Sequence, residues 1–201
     1  MSLRRFALPV LIWSIAISSA AAAATTDSSI SSIPNFHQVD PRVFRGGQPL
    51  DSAWPDLAKL GVKTVIDLRQ VSEHSTTAEA QAVKAAGMHY VNFPWDGFQT
   101  PRGEQIARVL QAMNGDGAVF VHCKQGRDRT GTAIAAYRIS RDGWTNQKAL
   151  SEAKTYGMHW FERGMMRFIT DYRASESTPI QLASTGTSTP VDTLQSQSVT
   201  P

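Results

Sequence analysis

The chain has 201 residues, of which 20 are lysine or arginine and 17 are aspartate or glutamate, so its formal net charge is only +3. Such a small imbalance gives no case for a nucleic-acid or membrane-surface partner, because those partners select a strongly positive surface. The single cysteine also excludes an intramolecular disulfide framework.

Residues 1–24 have the pattern of a signal peptide. Arg4 and Arg5 precede an apolar run over 6–17, and small residues over 18–24 offer a cleavage site after Ala22 or Ala24. An uncleaved anchor is disfavoured because the apolar run is short for a membrane span, and twin-arginine export is disfavoured by its flanking residues. The sequence therefore predicts a periplasmic or secreted protein with no stable membrane association after cleavage.

Composition divides the rest of the chain into three segments. Residues 25–40 are expected to form an N-terminal linker, and residues 41–173 are long enough for one domain with a hydrophobic core. Residues 174–201 are rich in Ser, Thr, Gln and Pro, with few large apolar side chains. Such a segment buries too little surface to offset its ordering entropy, so it is expected to be a disordered tail.

Within 41–173, short β-branched or aromatic runs alternate with helical patterns. The runs predict buried strands over 63–68, 89–93 and 118–122. Helices are predicted over 77–86, after Thr100 and Pro101, over 130–139, over 147–156, and along an apolar stripe from Phe161 to Tyr172. This alternation indicates an α/β domain with a mainly parallel central sheet flanked by helices on both faces.

The lone cysteine lies in the segment VHCKQGRDRTG (121–131), which leaves the third predicted strand and enters a helix. Ligands bind at this end of α/β sheets, where strand ends and a helix N-terminus converge. Gly126 permits a tight bend in which backbone N–H groups point inward, and such a concave loop binds a phosphate dianion. The same positive potential lowers a thiol pKa from about 8.5 to roughly 3.5–7.5, which predicts that Cys123 is a thiolate nucleophile.

Three further residues of this segment have expected roles. The planar guanidinium of Arg129 can hold two phosphoryl oxygens and follow them into the transition state. Thr130 can donate its hydroxyl to the cysteine sulfur, and His122 is expected to orient the loop rather than act on the substrate. The alternative, in which Cys123 is only a small buried hydrophobe, is disfavoured by the three cations that flank it.

The pattern His-Cys-x5-Arg-Thr-Gly over 122–131 resembles the signature of the cysteine-dependent protein tyrosine and dual-specificity phosphatases. The segments FRGGQP (44–49), LGVKTVIDLR (60–69) and AAYRISRDGW (135–144) are similar to small bacterial periplasmic members. The resemblance implies a compact dual-specificity-phosphatase-like domain, a phosphocysteine intermediate, and neither metal nor other cofactor. It also implies a phosphate-binding loop formed by Lys124, Gln125, Gly126, Arg127, Asp128 and Arg129.

Two other classes of site are disfavoured. A sulfurtransferase of the rhodanese type also has a cysteine loop, but its usual arginine would fall at Asp128. A zinc site is not predicted, because no metal-ligand spacing relates Cys123 to the four histidines outside the loop, His37, His74, His89 and His159.

Asp96 is the best candidate for the general acid that protonates the departing oxygen. In the resembling family this aspartate lies on a loop some way before the cysteine, and Asp96 lies in the loop FPWDGFQTP (93–101) after a predicted strand. Asp116 is expected to serve a turn, Asp67 to pair with Arg69, and Asp128 to orient its neighbours. In the same loop, Trp95 and Phe98 could either shape the mouth of a pocket or cover the core.

The substrate is less constrained than the chemistry. A phosphorylated protein, with phosphotyrosine ranked first and dual specificity allowed, or a small phosphomonoester is expected, and the enzyme is expected to be a monomer. Inositol phosphates or phosphoinositides rank second, because Lys124 and Arg127 are similar to the extra cations of phosphoinositide phosphatases. A phosphate-binding pseudophosphatase ranks third, since Cys123, Arg129 and a candidate acid are all present.

Overall fold

A computed structural model describes residues 30–174, which form an α/β domain built around a five-stranded sheet. The strands are β1 (His37–Gln38), β2 (Val43–Gly46), β3 (Val62–Asp67), β4 (His89–Asn92) and β5 (Ala118–His122). Their spatial order is β1-β2-β5-β3-β4, with β1 antiparallel to β2 and every other neighbouring pair parallel. The prediction of a mainly parallel sheet is confirmed.

Helices cover both faces of the sheet. They are α1 (Trp54–Lys59), α2 (Thr76–Ala85), α3 (Gly103–Met113), α4 (Asp128–Asp142), α5 (Asn146–Thr155) and α6 (Arg163–Asp171). Two short 3-10 turns, Asp51–Ala53 and Val71–Glu73, precede α1 and α2. Within residues 30–174, no helix combines the length and the apolar character needed to cross a bilayer.

The central strands supply side chains to two separate cores. Along β5, Val119 and Val121 join the core formed with α3 to α6, whereas Phe120 joins the core formed with α1 and α2. This alternation follows from the two-residue period of a strand buried on both faces. As a result β5, which leads directly to Cys123, is held by apolar packing on both sides.

The folded domain begins earlier than the sequence predicted. Ile33 and Phe36 are buried in the core beneath α1, and β1 pairs with β2, so the end of the expected linker 25–40 belongs to the domain. The strand pattern of β1 and β2 was missed because β1 has two residues and β2 contains a buried arginine. The signal peptide, residues 25–29 and residues 175–201 of the predicted tail lie outside the described residues.

Two helix boundaries differ from the prediction. Helix α3 begins at Gly103 rather than directly after Thr100, and its N-cap is Arg102, whose backbone N–H donates to Gln105 Oε1 at 2.9 Å. Helix α4 begins at Asp128, two residues before the predicted start at Thr130. The first turn of α4 therefore includes Arg129, which fixes the direction in which that side chain leaves the helix.

Candidate active site

The loop 123–127 joins the C-terminal end of β5 to the N-terminus of α4, as the sequence predicted. Cys123 is 3% exposed and lies at the wall of a cleft with a volume of about 460 Å³. The residues that line this cleft come from four segments of the chain: Gln70, Glu73, Asp96, Gly97, Phe98, Cys123, Lys124, Gln125, Asp128, Arg129, His159, Phe161 and Glu162. Cys123, Arg129 and Asp96 thus share one cleft.

Gly126 gives the loop its shape. Its φ is +72°, a left-handed conformation that favours glycine, and a Cβ at this position would collide with the backbone of Gly46 and Gly47. The Gly126 carbonyl accepts hydrogen bonds from Arg45 Nη2 at 2.7 Å and Asn35 Nδ2 at 2.8 Å. The FRGGQP segment therefore supports the loop 123–127 from behind.

Arg45 is fully buried behind this loop, with its guanidinium 4.4 Å from the centre of the Tyr156 ring. Burial lowers the pKa of Arg45 to about 10, although the charges of Glu152 and Cys123 oppose that shift. At neutral pH Arg45 is still a cation, and it is close enough to Cys123 to stabilise a negative charge on the sulfur.

Arg129 is held on one edge by protein groups. Its Nη1 donates to Glu73 Oε1 at 2.5 Å and to the Trp95 carbonyl at 3.0 Å, and its Nη2 donates to Glu73 Oε2 at 2.9 Å. Burial acts to lower the pKa of Arg129, but the hydrogen bonds to Glu73 and the charge of Cys123 raise it above its ordinary value. Nε makes no hydrogen bond with any described residue, so the Nε–Nη2 edge can receive phosphoryl oxygens.

Glu73 was not predicted from the sequence. Its carboxylate also accepts the Gln70 backbone N–H at 3.0 Å, which closes the 3-10 turn Val71–Glu73. The hydrogen bond from Arg129 lowers the pKa of Glu73 below its ordinary range. The spacing of Gln70 and Glu73 is that of a capping box, the one signal that could have indicated a fixed carboxylate here.

Asp96 lies in the loop after β4 and lines the cleft. Its Oδ1 accepts the Phe98 backbone N–H at 2.8 Å, and its Oδ2 accepts a hydrogen bond from Gln70 Nε2 at 3.4 Å. The two aromatic neighbours have different environments. Trp95 is buried in the core, whereas Phe98 is exposed at the cleft. Of the two expected roles, covering the core therefore applies to Trp95 and shaping the mouth of the pocket applies to Phe98.

Two side chains of the signature, those of Arg127 and Thr130, are not placed as expected, whereas Asp128 orients a neighbour as predicted. Arg127 does not line the cleft and lies with Nη1 3.3 Å from His159 Nε2. The Asp128 carboxylate accepts the backbone N–H of His159 at 2.8 Å and lies 2.8 Å from its Nδ1, so it orients a neighbour and offers the phosphate no side-chain donor. Thr130 directs its hydroxyl to the Gly46 carbonyl at 3.4 Å rather than to sulfur.

A family model described as "DSP-PTPase phosphatase fused to NAD+ Kinase" matches residues 23–171. The chain belongs to the DSP-PTPase phosphatase family. Between Cys123 and Arg129, Lys124 and Gln125 are exposed and Gly126 is buried.

Relatives of this DSP-PTPase domain include the dual specificity protein phosphatase TpbA of Pseudomonas aeruginosa. It is 31% identical over 125 residues, which are 61% of this chain and 55% of TpbA. A human relative, phosphatidylglycerophosphatase and protein-tyrosine phosphatase 1, is 28% identical over 124 residues, 57% of this chain and 61% of that protein. The chain thus aligns with little more than half the length of these curated relatives.

The crystal structure of P. aeruginosa TpbA is similar to the fold described above. Its TM-score is 0.59 at 26% identity, and the match covers 73% of this chain and 89% of that one. A second TpbA structure, in complex with pTyr, has a TM-score of 0.56 and also 26% identity, covering 68% of this chain and 83% of that one. The DSP-PTPase fold is therefore shared beyond the cysteine signature.

His122, directly before Cys123, faces α2 and not the cleft. It is fully buried and stacks on Phe120 with ring centres 5.3 Å apart. Its Nε2 lies 3.0 Å from Glu79 Oε1 without hydrogen-bond geometry. This position agrees with a role in holding the loop rather than in contacting substrate.

A buried polar cluster extends from His122 to the edge of the sheet. Asp67, His74 and Glu79 bring ligand atoms within 4.8 Å of one another, a proximity that the spacing of the histidines did not indicate. Arg69 donates to both carboxylates, as the predicted pairing with Asp67 required, so its guanidinium supplies the cation between them. Burial acts to raise the pKa of Asp67, but His122 and Arg69 hold it below its ordinary value.

Glu162 also lines the cleft, and like Glu73 it was not predicted from the sequence. It is 5% exposed, and its side chain makes no hydrogen bond or ion pair with any residue of 30–174. Burial and the charge of Asp128 raise the pKa of Glu162 above its ordinary value. A carboxyl group whose pKa is shifted at a cleft is a candidate for a functional role.

Proposed function

We propose that this protein is a phosphomonoester hydrolase that removes phosphate from protein tyrosine residues, with dual specificity allowed, through a phosphocysteine intermediate. The observation that carries this proposal is the convergence of Cys123, Arg129 and Asp96 on one cleft. The 31% identity to a dual specificity protein phosphatase and the similarity to a structure of TpbA in complex with pTyr support it.

In the first step, the Cys123 thiolate attacks phosphorus, an S–P bond forms, and the ester P–O bond breaks. The Nε–Nη2 edge of Arg129 holds two phosphoryl oxygens while negative charge shifts through the transition state. Asp96, in its protonated form, gives its proton to the departing oxygen. The phenol of tyrosine leaves neutral, and the phosphoryl group remains on sulfur.

In the second step, water attacks the phosphocysteine. The Asp96 carboxylate takes a proton from that water, the new P–O bond forms, and the S–P bond breaks to regenerate the thiolate and release phosphate. Arg45 and Arg129 both lie close enough to feel the charge of Cys123 and so stabilise the sulfur as it leaves. No step requires a metal ion.

The cleft favours a single phosphate on an aromatic alcohol over a polyphosphorylated ring. Of the two cations behind the inositol hypothesis, Lys124 lines the cleft and Arg127 does not. Phe98 and Phe161 lie at the cleft and can contact a phenyl ring, whereas a second phosphate would meet carboxylates. Phosphotyrosine therefore fits better than an inositol polyphosphate.

The test is kcat/KM of the full chain on a phosphotyrosine peptide, a phosphoserine peptide and inositol hexakisphosphate, with Cys123→Ser as the inactive control. We expect the phosphotyrosine peptide to be preferred over the inositol compound by at least about tenfold, since one lost charge-assisted contact has that value. Lys124→Ala should weaken all three substrates by similar factors. A loss confined to the inositol compound, together with a preference for it, would assign the protein to the second substrate class.

We also propose that the protein is exported by its first 24 residues and acts in the periplasm or outside the cell. The support is the sequence pattern of that segment, and a single cysteine avoids disulfide exchange within the chain. Fractionation of cells that express the chain with and without residues 1–24 tests this proposal. Equal retention of both forms in the cytoplasm would contradict it.

A further inference from the structure

Large apolar side chains are exposed around the mouth of the cleft. Within residues 30–174, five large apolar residues are exposed, and four of them lie in segments that line this cleft: Val71 at 65%, Phe98 at 83%, Trp160 at 81% and Phe161 at 49%. The fifth, Leu50, lies outside those segments. Exposed apolar side chains scattered over a surface need no explanation, but their concentration beside one cleft marks an interaction surface.

These four residues, which we call the apolar rim, come from three of the segments that line the cleft. Phe98 belongs to the loop that carries Asp96, and Trp160 and Phe161 belong to the loop between α5 and α6. Trp160 contacts Phe161 edge-on with ring centres 5.8 Å apart, and Phe161 stacks on His159 at 4.9 Å. Because Asp128 fixes His159, the aromatic side of the rim is anchored to the first turn of α4.

The charges of the cleft restrict what can lie on this rim. Four carboxyl groups line it, on Glu73, Asp96, Asp128 and Glu162, against the cations of Lys124 and Arg129. When a substrate is bound, its phosphate and Glu73 neutralise the charge of Arg129. Asp128 is paired with His159. Outside the phosphate position the mouth therefore combines apolar side chains with the carboxyl group of Glu162, whose charge only the exposed ammonium group of Lys124 balances among the residues lining the cleft.

We propose that the apolar rim binds the peptide segment next to the phosphorylated tyrosine, accepts a large apolar side chain there, and disfavours acidic neighbours. This inference rests on the proposed function. An anionic bilayer would place phosphate groups against the carboxylates, and an inositol polyphosphate would do the same. A peptide with an apolar residue beside phosphotyrosine meets aromatic rings at the rim and avoids that repulsion.

The experiment compares three phosphotyrosine peptides that carry leucine, glycine or glutamate on both sides of the tyrosine, with p-nitrophenyl phosphate as a substrate without neighbours. The wild-type protein should prefer the leucine peptide to the glutamate peptide by at least tenfold in kcat/KM. Trp160→Ala should lower kcat/KM at least fivefold on the leucine peptide and less than twofold on p-nitrophenyl phosphate. Leu50→Ala, the matched exposed apolar residue outside the rim, should change neither.

Glu162→Gln tests the acidic half of the proposal and should reduce the preference for leucine over glutamate at least threefold. Equal turnover of the three peptides by the wild type, or equal losses on all substrates in Trp160→Ala, would overturn the proposal. So would Trp160-dependent co-sedimentation with phosphatidylethanolamine–phosphatidylglycerol vesicles without peptide preference, which would assign the rim to a membrane. If the proposed function itself were wrong, no phosphotyrosine substrate would be turned over, so that outcome differs from a failure of the rim proposal alone.

Discussion

Replacement of Glu73 by glutamine tests whether this carboxylate positions Arg129 for catalysis. Glu73 binds the Nη1–Nη2 edge at 2.5 and 2.9 Å and leaves the Nε edge for substrate. A hydrogen bond to a charged group contributes about 1.5–3 kcal/mol, and the 25% exposure of the Glu73 side chain places this one at the low end. A loss of about 1.5 kcal/mol corresponds to roughly a tenfold fall in kcat/KM.

The assay is steady-state hydrolysis of p-nitrophenyl phosphate and a phosphotyrosine peptide, with thermal unfolding measured in parallel. Glutamine keeps an oxygen that can accept the Gln70 N–H, so the 3-10 turn should persist and the fall should appear mainly in kcat. Glu104→Gln, an exposed acid in the first turn of α3, is the matched control and should be unchanged. An unchanged or increased kcat/KM in Glu73→Gln would refute the reasoning, and an increase would mean that Glu73 competes with the substrate for Arg129.

Three further predictions concern the loop, the acid and the unpaired carboxyl group. Gly126→Ala should abolish most activity, because a Cβ there collides with the backbone behind the loop; Gly143→Ala at the end of α4 has a similar positive φ with open space around it and should cost only about 1–2 kcal/mol of unfolding free energy, so equal activity losses would exclude the collision as the cause. Asp96→Asn should lower kcat/KM, which reports the phosphoryl transfer to Cys123, by about 10²- to 10⁴-fold on phosphotyrosine and much less on p-nitrophenyl phosphate, while equal losses of kcat/KM would indicate a structural role. The raised pKa of Glu162 means that its contribution to stability is lost as pH rises through that pKa, so Glu162→Gln should raise Tm at pH 7 and 8 but not at pH 3. Calorimetry across this range checks the sign, and a lower Tm at pH 8 would contradict it.

The sequence could predict the part of the site whose residues are neighbours in the chain. The run 118–122, the glycine in the loop and the helix that follows lie consecutively in the chain, so strand period, φ requirement and helix start together indicated the nucleophile loop. Asp96 could also be predicted from the sequence, because it follows a strand that ends at the same edge of the sheet. The mainly parallel sheet followed from the alternation of strands and helices.

The residues that sequence could not place act over long separations. Arg45 reaches Gly126 across 81 positions and Glu73 reaches Arg129 across 56, and neither distance leaves a periodic pattern. Strand β2 carries Arg45 inward, which breaks the apolar run that identifies a buried strand. A charged residue in such a strand is the kind of local inconsistency that accompanies a functional site.

The side-chain directions of the signature residues could not be predicted for a related reason. Arg127 was expected at the phosphate, but its side chain lies beside His159 in the loop before α6, about thirty positions later, and Asp128 orients that histidine. The same loop brings Glu162 and Phe161 to the cleft. A signature fixes the backbone that surrounds phosphate, whereas the packing of a distant loop decides which side chains face it.

The central claim is a covalent phosphoryl group on Cys123, and rapid quenching followed by peptide mass spectrometry tests it most directly. The full chain is mixed with p-nitrophenyl phosphate and quenched within one turnover, with Cys123→Ser as the control and Asp96→Asn as a variant in which hydrolysis of the intermediate is slowed. The account predicts one phosphoryl group on the peptide that contains Cys123, more of it in Asp96→Asn, and none in Cys123→Ser. A phosphoryl group on His159 instead, or turnover by Cys123→Ser at the wild-type rate, would contradict it.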